Sequence, residues 1–291
     1  MPPSRPPRAN APRGPRPAPS APGKTQGKPQ NLERVRDEAS RGRRTGGRAD
    51  GGSNQNWLFG HHAVRAALAN PERTCRQLLL TPEAAKDWAD TGLTPTIVDR
   101  TEIDRHVPPG AVHQGVALLA DPLPELALED VLFSASPDAL FVLLDQVTDP
   151  HNVGAILRSC AVFGVTALIM PDRNAAAATG TLAKTASGAL EAVPVVRVVN
   201  LSRTIRQLQE ADVWVIGLEG IAEKPLEAVL RPGRIALVLG AEGPGLRRLT
   251  GETCDTLGHL PTAGEFASLN VSNAAAVALY ATRRVLAGGA A

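Results

Sequence analysis

Residues 234–280 constrain the fold most, because a strand, two tight turns and a helix start follow one another there with almost no slack. The unbroken apolar run at 235–239 suits a central parallel strand covered on both faces. It ends at Gly240, and Gly243, Pro244 and Gly245 then force a sharp turn whose backbone can approach a ligand without interference from Cβ atoms. A second turn, Leu260-Pro261-Thr262-Ala263-Gly264, precedes Ser268-Leu269-Asn270-Val271-Ser272 and an alanine-rich helical run. Ser268 or Asn270 is expected to cap that helix, whose N-terminus offers free N–H groups and partial positive charge.

A third element lies upstream, where a strand end at Asp145 runs through Thr148-Asp149-Pro150 into a helix carrying Asn152, Gly154 and Arg158. Asn152 is expected to cap this helix, with Arg158 inside its first two turns. The glycines at 240, 243 and 245 reverse the order of the dinucleotide fingerprint and come late in the chain, which speaks against an NAD-dependent enzyme.

Taken together, N-x-G-x-x-x-R at 152–158, L-G-x-E-G-x-G at 239–245, and L-P-x-x-G at 260–264 followed by S-L-N-V-S resemble the three motifs of the SpoU (TrmH-like) RNA ribose 2′-O-methyltransferases. The resemblance spans residues 139–287. It implies an α/β fold with a parallel sheet and a C-terminal trefoil knot, S-adenosylmethionine as cofactor, an RNA substrate and a homodimer. It also implies that Gly240, Leu260 and Leu269 hold the cofactor largely through backbone groups, and that Arg158, Asn152, Glu242, Ser268 and Asn270 form the catalytic set. The family's motif-1 arginine is proposed as a base. A guanidinium stays protonated in proteins, so our reading gives Arg158 the neighbouring phosphate and the developing alkoxide charge, with Asn152 and Asn270 orienting the ribose. Glu242 fits two roles, an acceptor that ties the glycine turn together or a direct catalyst; as an acceptor it is expected to meet an arginine or a backbone group. No metal is expected, since a sulfonium carries its own electrophilicity.

The N-terminal part reads differently. Residues 1–56 hold ten prolines and twelve Lys/Arg against four Asp/Glu, with no apolar periodicity, and are expected to be a disordered basic tail. Its roles as solubiliser and as electrostatic tether for ribosomal RNA both remain open; a mitochondrial transit peptide fits less well, because the prolines spoil an amphipathic helix. From Trp57 to residue 120 a helix from His62 and strands at 77–80, 96–98 and 114–119 alternate with a helix at 82–90, giving a small substrate-binding domain. Its G-x-H-A-V start and His113-Gln114-Gly115-Val116-Ala117 end resemble the amino-terminal L30/L7Ae-like RNA-binding domain of many SpoU enzymes. His61, His62 and His113 could touch RNA there or serve the structure and surface. Residues 121–138 suit an interdomain linker, and 139–291 the methyltransferase domain.

In that last domain, strands at 140–147, 167–170, 193–199, 213–218 and 235–239 alternate with helices at 152–163, 179–190 and 202–211, the signature of a parallel sheet. The Ser187-Gly188-Ala189 run serves either close helix packing or the RNA surface. No apolar run reaches a membrane span, no secretory signal is expected, and three scattered cysteines argue against disulfides or zinc, all pointing to the cytoplasm. The expected reaction is methylation of a guanosine 2′-oxygen in 23S ribosomal RNA. A tRNA guanosine is the alternative, although that branch of the family carries helical extensions instead of a small domain; a non-catalytic RNA-binding or ribosome-assembly protein is the alternative of another class.

Overall fold

The computed structural model describes residues 57–88, 91–173, 175–176, 179–263 and 269–288. The basic tail at 1–56 and Ser268 therefore lie outside the described residues.

The small domain is built on a four-stranded mixed sheet in the order β1-β4-β2-β3. β1 (Trp57–Phe59) leads through Gly60 into α1 (His61–Ala69), and β2 (Cys75–Leu80) into the short α2 (Pro82–Ala85). β3 (Thr96–Ile97), α3 (Arg100–Asp104) and β4 (Val116–Ala120) follow. Thr81 and Asp99 accept hydrogen bonds from N–H groups of the helices they precede, capping α2 and α3. The α2 helix ends well short of the expected 90, and β1 was not foreseen, because three apolar residues carry no periodicity to read.

α4 (Leu128–Ser134) buries Leu128 and Val131 and so anchors the connecting segment on the next domain. There β5 (Leu140–Asp145), α5 (Pro150–Val162), β6 (Ala167–Pro171), α6 (Gly180–Ala186), α7 (Ala189–Ala192), β7 (Val195–Val198), α8 (Leu201–Glu210) and β8 (Trp214–Leu218) succeed one another. α9 (Leu226–Val229), β9 (Ile235–Gly240), α10 (Arg248–Thr253), β10 (Thr256–Gly258) and α11 (Val271–Leu286) complete the order. The six strands pair in parallel throughout, in the order β10-β8-β9-β5-β6-β7. β5 and β9 sit at the centre with almost every side chain buried, which explains their unbroken apolar sequences. Each face of the sheet has its own core. One includes Val153, Leu157 and Leu279 of α5 and α11 and continues into the small domain through Leu58 and Val64; the other includes Leu128, Leu201 and Ile205 of α4 and α8.

The expected single helix over 179–190 is two helices. Ser187 adopts a left-handed backbone (φ 51°) and Gly188 follows at φ 94°, which ends α6 and starts α7. This break is where the small domain docks. A Cβ on Gly188 would lie 2.9 Å from the Ala66 methyl, and one on Gly180 would overlap the Trp57 carbonyl oxygen. Next to this junction, the buried Arg73 guanidinium meets the buried Glu191 carboxylate at 2.5 Å and 3.1 Å, while Asn70 donates to the same carboxylate at 2.8 Å. The small residues near 187 thus serve domain packing.

His113 also has a structural place. It is fully buried, its Nδ1 accepts from the Gly115 N–H at 3.2 Å, and burial pushes its imidazole below the usual pKa despite the nearby Asp104 carboxylate. His61 accepts from the Trp88 indole at 3.0 Å.

Two outcomes follow. Removing one partner of a buried ion pair leaves the other charge uncompensated, so Arg73→Ala should cost about 3 kcal/mol in urea unfolding followed by tryptophan fluorescence; a cost below about 0.5 kcal/mol would contradict the docking described. Because the folded state holds the His113 proton less tightly than the unfolded chain does, its stabilising contribution is complete above the ordinary histidine pKa of 6.5 and declines as pH falls below it. Unfolding midpoints between pH 8 and pH 5.5 should therefore fall less in His113→Gln than in the unchanged protein.

Candidate active site

The three sequence motifs converge at the carboxyl ends of β5 and β9, where parallel sheets present ligand sites. Asp145 ends β5, and its fully buried carboxylate accepts from the Arg247 backbone N–H at 3.0 Å and from Arg247 Nε at 2.6 Å. This pair, separated by 102 residues, ties the chain leaving β9 to the end of β5. It went unread in the sequence, although a lone carboxylate closing a six-residue apolar strand is a visible signal.

Between β9 and Arg247 the chain doubles back on itself. Gly245 N–H donates to the Ala241 carbonyl at 3.0 Å, and Gly243 and Gly245 have φ of 84° and 68°. A Cβ on Gly240 would overlap the Gly245 carbonyl carbon, so only glycine fits at the end of this strand. Glu219 closes the turn from the side, accepting weakly from the Leu246 N–H at 3.4 Å.

The turn projects Glu242 toward two helix starts. Glu242 Oε1 accepts from Asn270 Nδ2 at 2.5 Å, from Asn152 Nδ2 at 3.1 Å and from the Val271 N–H at 3.4 Å, and Asn270 Nδ2 also reaches Asn152 Oδ1 at 3.0 Å. One carboxylate oxygen therefore collects a residue from each motif. Its partners are two amides and one backbone N–H, so of the two partners expected, an arginine or a backbone group, it meets the backbone. Asn270 caps α11 as expected, its Oδ1 accepting from the Ser272 and Asn273 N–H groups. Asn152 does not cap α5. Asp149 does, accepting from the His151 N–H, with Pro150 at the first helical position. Asn152 stands inside the first turn and is free to point at Glu242. Gly154 allows α6 to press against α5, since a Cβ there would lie 2.7 Å from Thr185 Cβ.

Arg158 stands apart from this cluster. It is exposed, makes no ion pair among the described residues, and lies six residues beyond Asn152, about 9 Å further along the helix axis. Burial pushes the thiols of Cys160 and Cys254 up to about 12, which removes both as nucleophiles.

Beside the Glu242 cluster is a cavity of about 310 Å³ whose walls include Gly240, Leu260 and Leu269, the three positions expected to hold a cofactor. Glu219 and Glu242 place carboxylates on it, Ile221 and Leu269 offer exposed apolar surface, and His259, also in the wall, has a buried Nδ1 without a hydrogen-bond partner among the described residues. Acidic groups suit a cationic centre, apolar walls suit a flat ring, and the orphaned imidazole nitrogen suits a polar ligand group. These features fit S-adenosylmethionine.

Comparison with known proteins agrees with the geometry. The profile of the SpoU rRNA Methylase family matches residues 139–280, and that of the RNA 2′-O ribose methyltransferase substrate-binding domain matches residues 57–126. The 23S rRNA (guanosine-2′-O-)-methyltransferase RlmB of Xylella fastidiosa is 43% identical over 235 residues, covering 77% of this chain and 94% of that protein. The chain belongs to the SpoU rRNA methylase family. The RlmB of Escherichia coli is 40% identical over 233 residues, covering 77% and 96%. Among solved structures, the SpoU methyltransferase AviRb from Streptomyces viridochromogenes superposes with a TM-score of 0.69 at 24% identity, covering 82% of this chain and 93% of that one, and so shares the SpoU fold.

The tight fit at Gly240 yields a direct test. Gly240→Ala should leave the sheet folded by circular dichroism yet abolish S-adenosylmethionine binding in isothermal titration; unchanged affinity would show that the turn does not shape the cavity.

Proposed function

We propose that this chain transfers the methyl group of S-adenosylmethionine to the 2′-oxygen of a guanosine ribose in 23S rRNA, acting in the cytoplasm. The observation that carries the reading is the convergence of Asn152, Glu242 and Asn270 on one point beside the cavity walled by Gly240, Leu260 and Leu269. The RlmB proteins, which match nearly end to end at 40–43% identity, supply the RNA and the nucleoside.

The cofactor supplies an electrophilic methyl on a sulfonium. The 2′-oxygen gains the methyl, the C–S bond breaks toward sulfur, and the hydroxyl proton leaves to solvent. The protein's task is placement, which can supply much of the rate. Glu242 holds the amides of Asn152 and Asn270 in fixed orientation, and the two amides position the ribose. Ser268, two residues before Asn270 in the sequence, completes the proposed catalytic set. Arg158 grips the phosphate next to the target sugar and stabilises charge growing on the oxygen.

The separation of Arg158 from Asn152 is accounted for by a homodimer. Val162 lies one turn beyond Arg158 on the same face of α5, and Val162, Val277 and Tyr280 are exposed apolar side chains on α5 and α11. Pairing two copies across that face brings Arg158 to the partner's substrate. The trefoil knot is the further element of this reading. It is supported by the path of the chain, which leaves β10 at the sheet edge and by Asn270 is back beside Asn152 and the Glu242 turn. The small domain is read as an L30-like RNA-binding module, and the basic tail as an electrostatic tether.

Ribose-methylation mapping of ribosomal and transfer RNA from a deletion strain should show one guanosine in 23S rRNA losing its 2′-O-methyl group. Loss confined to tRNA would move the substrate, and no loss at all would overturn the enzymatic reading. Arg158→Ala should lower turnover by about 100-fold or more with cofactor affinity unchanged; near-normal turnover would remove Arg158 from the site.

A further inference from the structure

The Asp145–Arg247 pair carries an implication beyond holding the glycine turn. Asp145 takes the Nε and the backbone N–H of Arg247, and neither Nη of that guanidinium has a hydrogen-bond partner among the described residues. The side chain remains half-exposed although its carboxylate partner is fully buried. A buried acid that fixes an arginine by its Nε edge leaves the other edge of the fork rigidly presented outward, an arrangement suited to bidentate grip on a phosphate.

What Arg247 faces supports this. It lines a cleft of about 270 Å³ at the carboxyl ends of β5, β6 and β7, together with Gln146, Arg173, Val199, Asn200 and Leu249. Arg173 is a second exposed guanidinium without an ion pair among the described residues. Val199 and Leu249 are exposed large apolar side chains on the same cleft, 92% and 52% accessible. Gln146 holds a left-handed backbone (φ 60°), a conformation costly for a side chain of this kind and common where function requires it. Two cations, two apolar surfaces and neutral amides form a surface for a nucleotide: phosphate on the forks, base against the hydrocarbon. The cleft is separate from the cofactor cavity and shares none of its lining residues.

We propose that this cleft is a subsite for a nucleotide flanking the methylated one, with Arg247 and Arg173 holding its phosphate and Val199 and Leu249 its base. The inference rests on the RNA methyltransferase reading. It deepens that reading by directing the substrate strand over the ends of β5 to β7, where Arg247 follows Glu242 by five residues and Gln146 precedes Asn152 by six.

The test avoids the turn itself. Arg173→Ala removes one fork and Val199→Glu the apolar surface, and neither touches Asp145, Arg247 or the cofactor cavity. In each full-length variant, steady-state methylation of an RNA fragment that the unchanged enzyme methylates should show KM raised about tenfold with kcat within twofold. The slope of log affinity against log salt, measured by fluorescence anisotropy, should become shallower by about 0.7 for each single-strand phosphate that the variant no longer holds. S-adenosylmethionine affinity and melting temperature should be unchanged for Arg173→Ala and Val199→Glu. Unchanged KM and salt slope in these two variants would overturn the subsite while leaving the enzymatic reading intact. Failure of the unchanged enzyme to methylate any RNA would instead defeat the reading on which the subsite depends.

Discussion

One carboxylate oxygen, Glu242 Oε1, ties its own turn to two pieces of chain 28 and 90 residues away in sequence. A charged acceptor bound by two amide donors and a helix N–H makes stronger hydrogen bonds than a neutral one would. It also sits at the start of α11, where the helix macrodipole favours negative charge. The α5 start, the β9 turn and the α11 start therefore share one fixed point. The cavity walled by Gly240, Leu260 and Leu269 and the amides of Asn152 and Asn270 meet at it.

The rest of the architecture supplies rigidity to that point. β5 and β9 are neighbouring, almost wholly buried strands, so their ends cannot drift apart without opening the core. Asp145 and Arg247 add a second tie on the opposite side of the turn, and Gly154 lets α6 brace α5 from behind. The same α6 and α7 then receive the small domain through Gly180, Gly188 and the Arg73–Glu191 pair. The two domains are thus joined through α6 and α7, and α6 packs on the α5 helix that carries Asn152.

The sheet of the larger domain was largely legible in the sequence, because buried parallel strands leave unbroken apolar runs and the glycine turns interrupt them at fixed places. Two strands escaped. β1 and β10 are three residues each, too short for any pattern to stand out. The cap of α5 was misplaced because Asp149-Pro150 and Asn152 are both cap signals, and only the fold shows that Asn152 is committed to Glu242. The break at Ser187 and Gly188 had a signal in Gly188, a residue common just past a helix end, which the reading of 179–190 as one small-residue helix passed over. The Asp145–Arg247 tie was missed because, although a carboxylate closing an apolar strand is a local signal, its partner lies 102 residues away. Asn152, Glu242 and Asn270 were found because each lies in a motif, whereas their mutual bonding is a property of the fold.

The claim that Glu242 couples the motifs is tested most directly by a double-mutant cycle on S-adenosylmethionine affinity, combining Glu242→Ala with Asn270→Ala and, separately, with Asn152→Ala. Residues acting through one shared acceptor should show coupling energies of about 1 kcal/mol or more, the second substitution adding little once the first is made. Effects that add to within about 0.3 kcal/mol would show that the three residues act independently, and the central place given to Glu242 would be wrong.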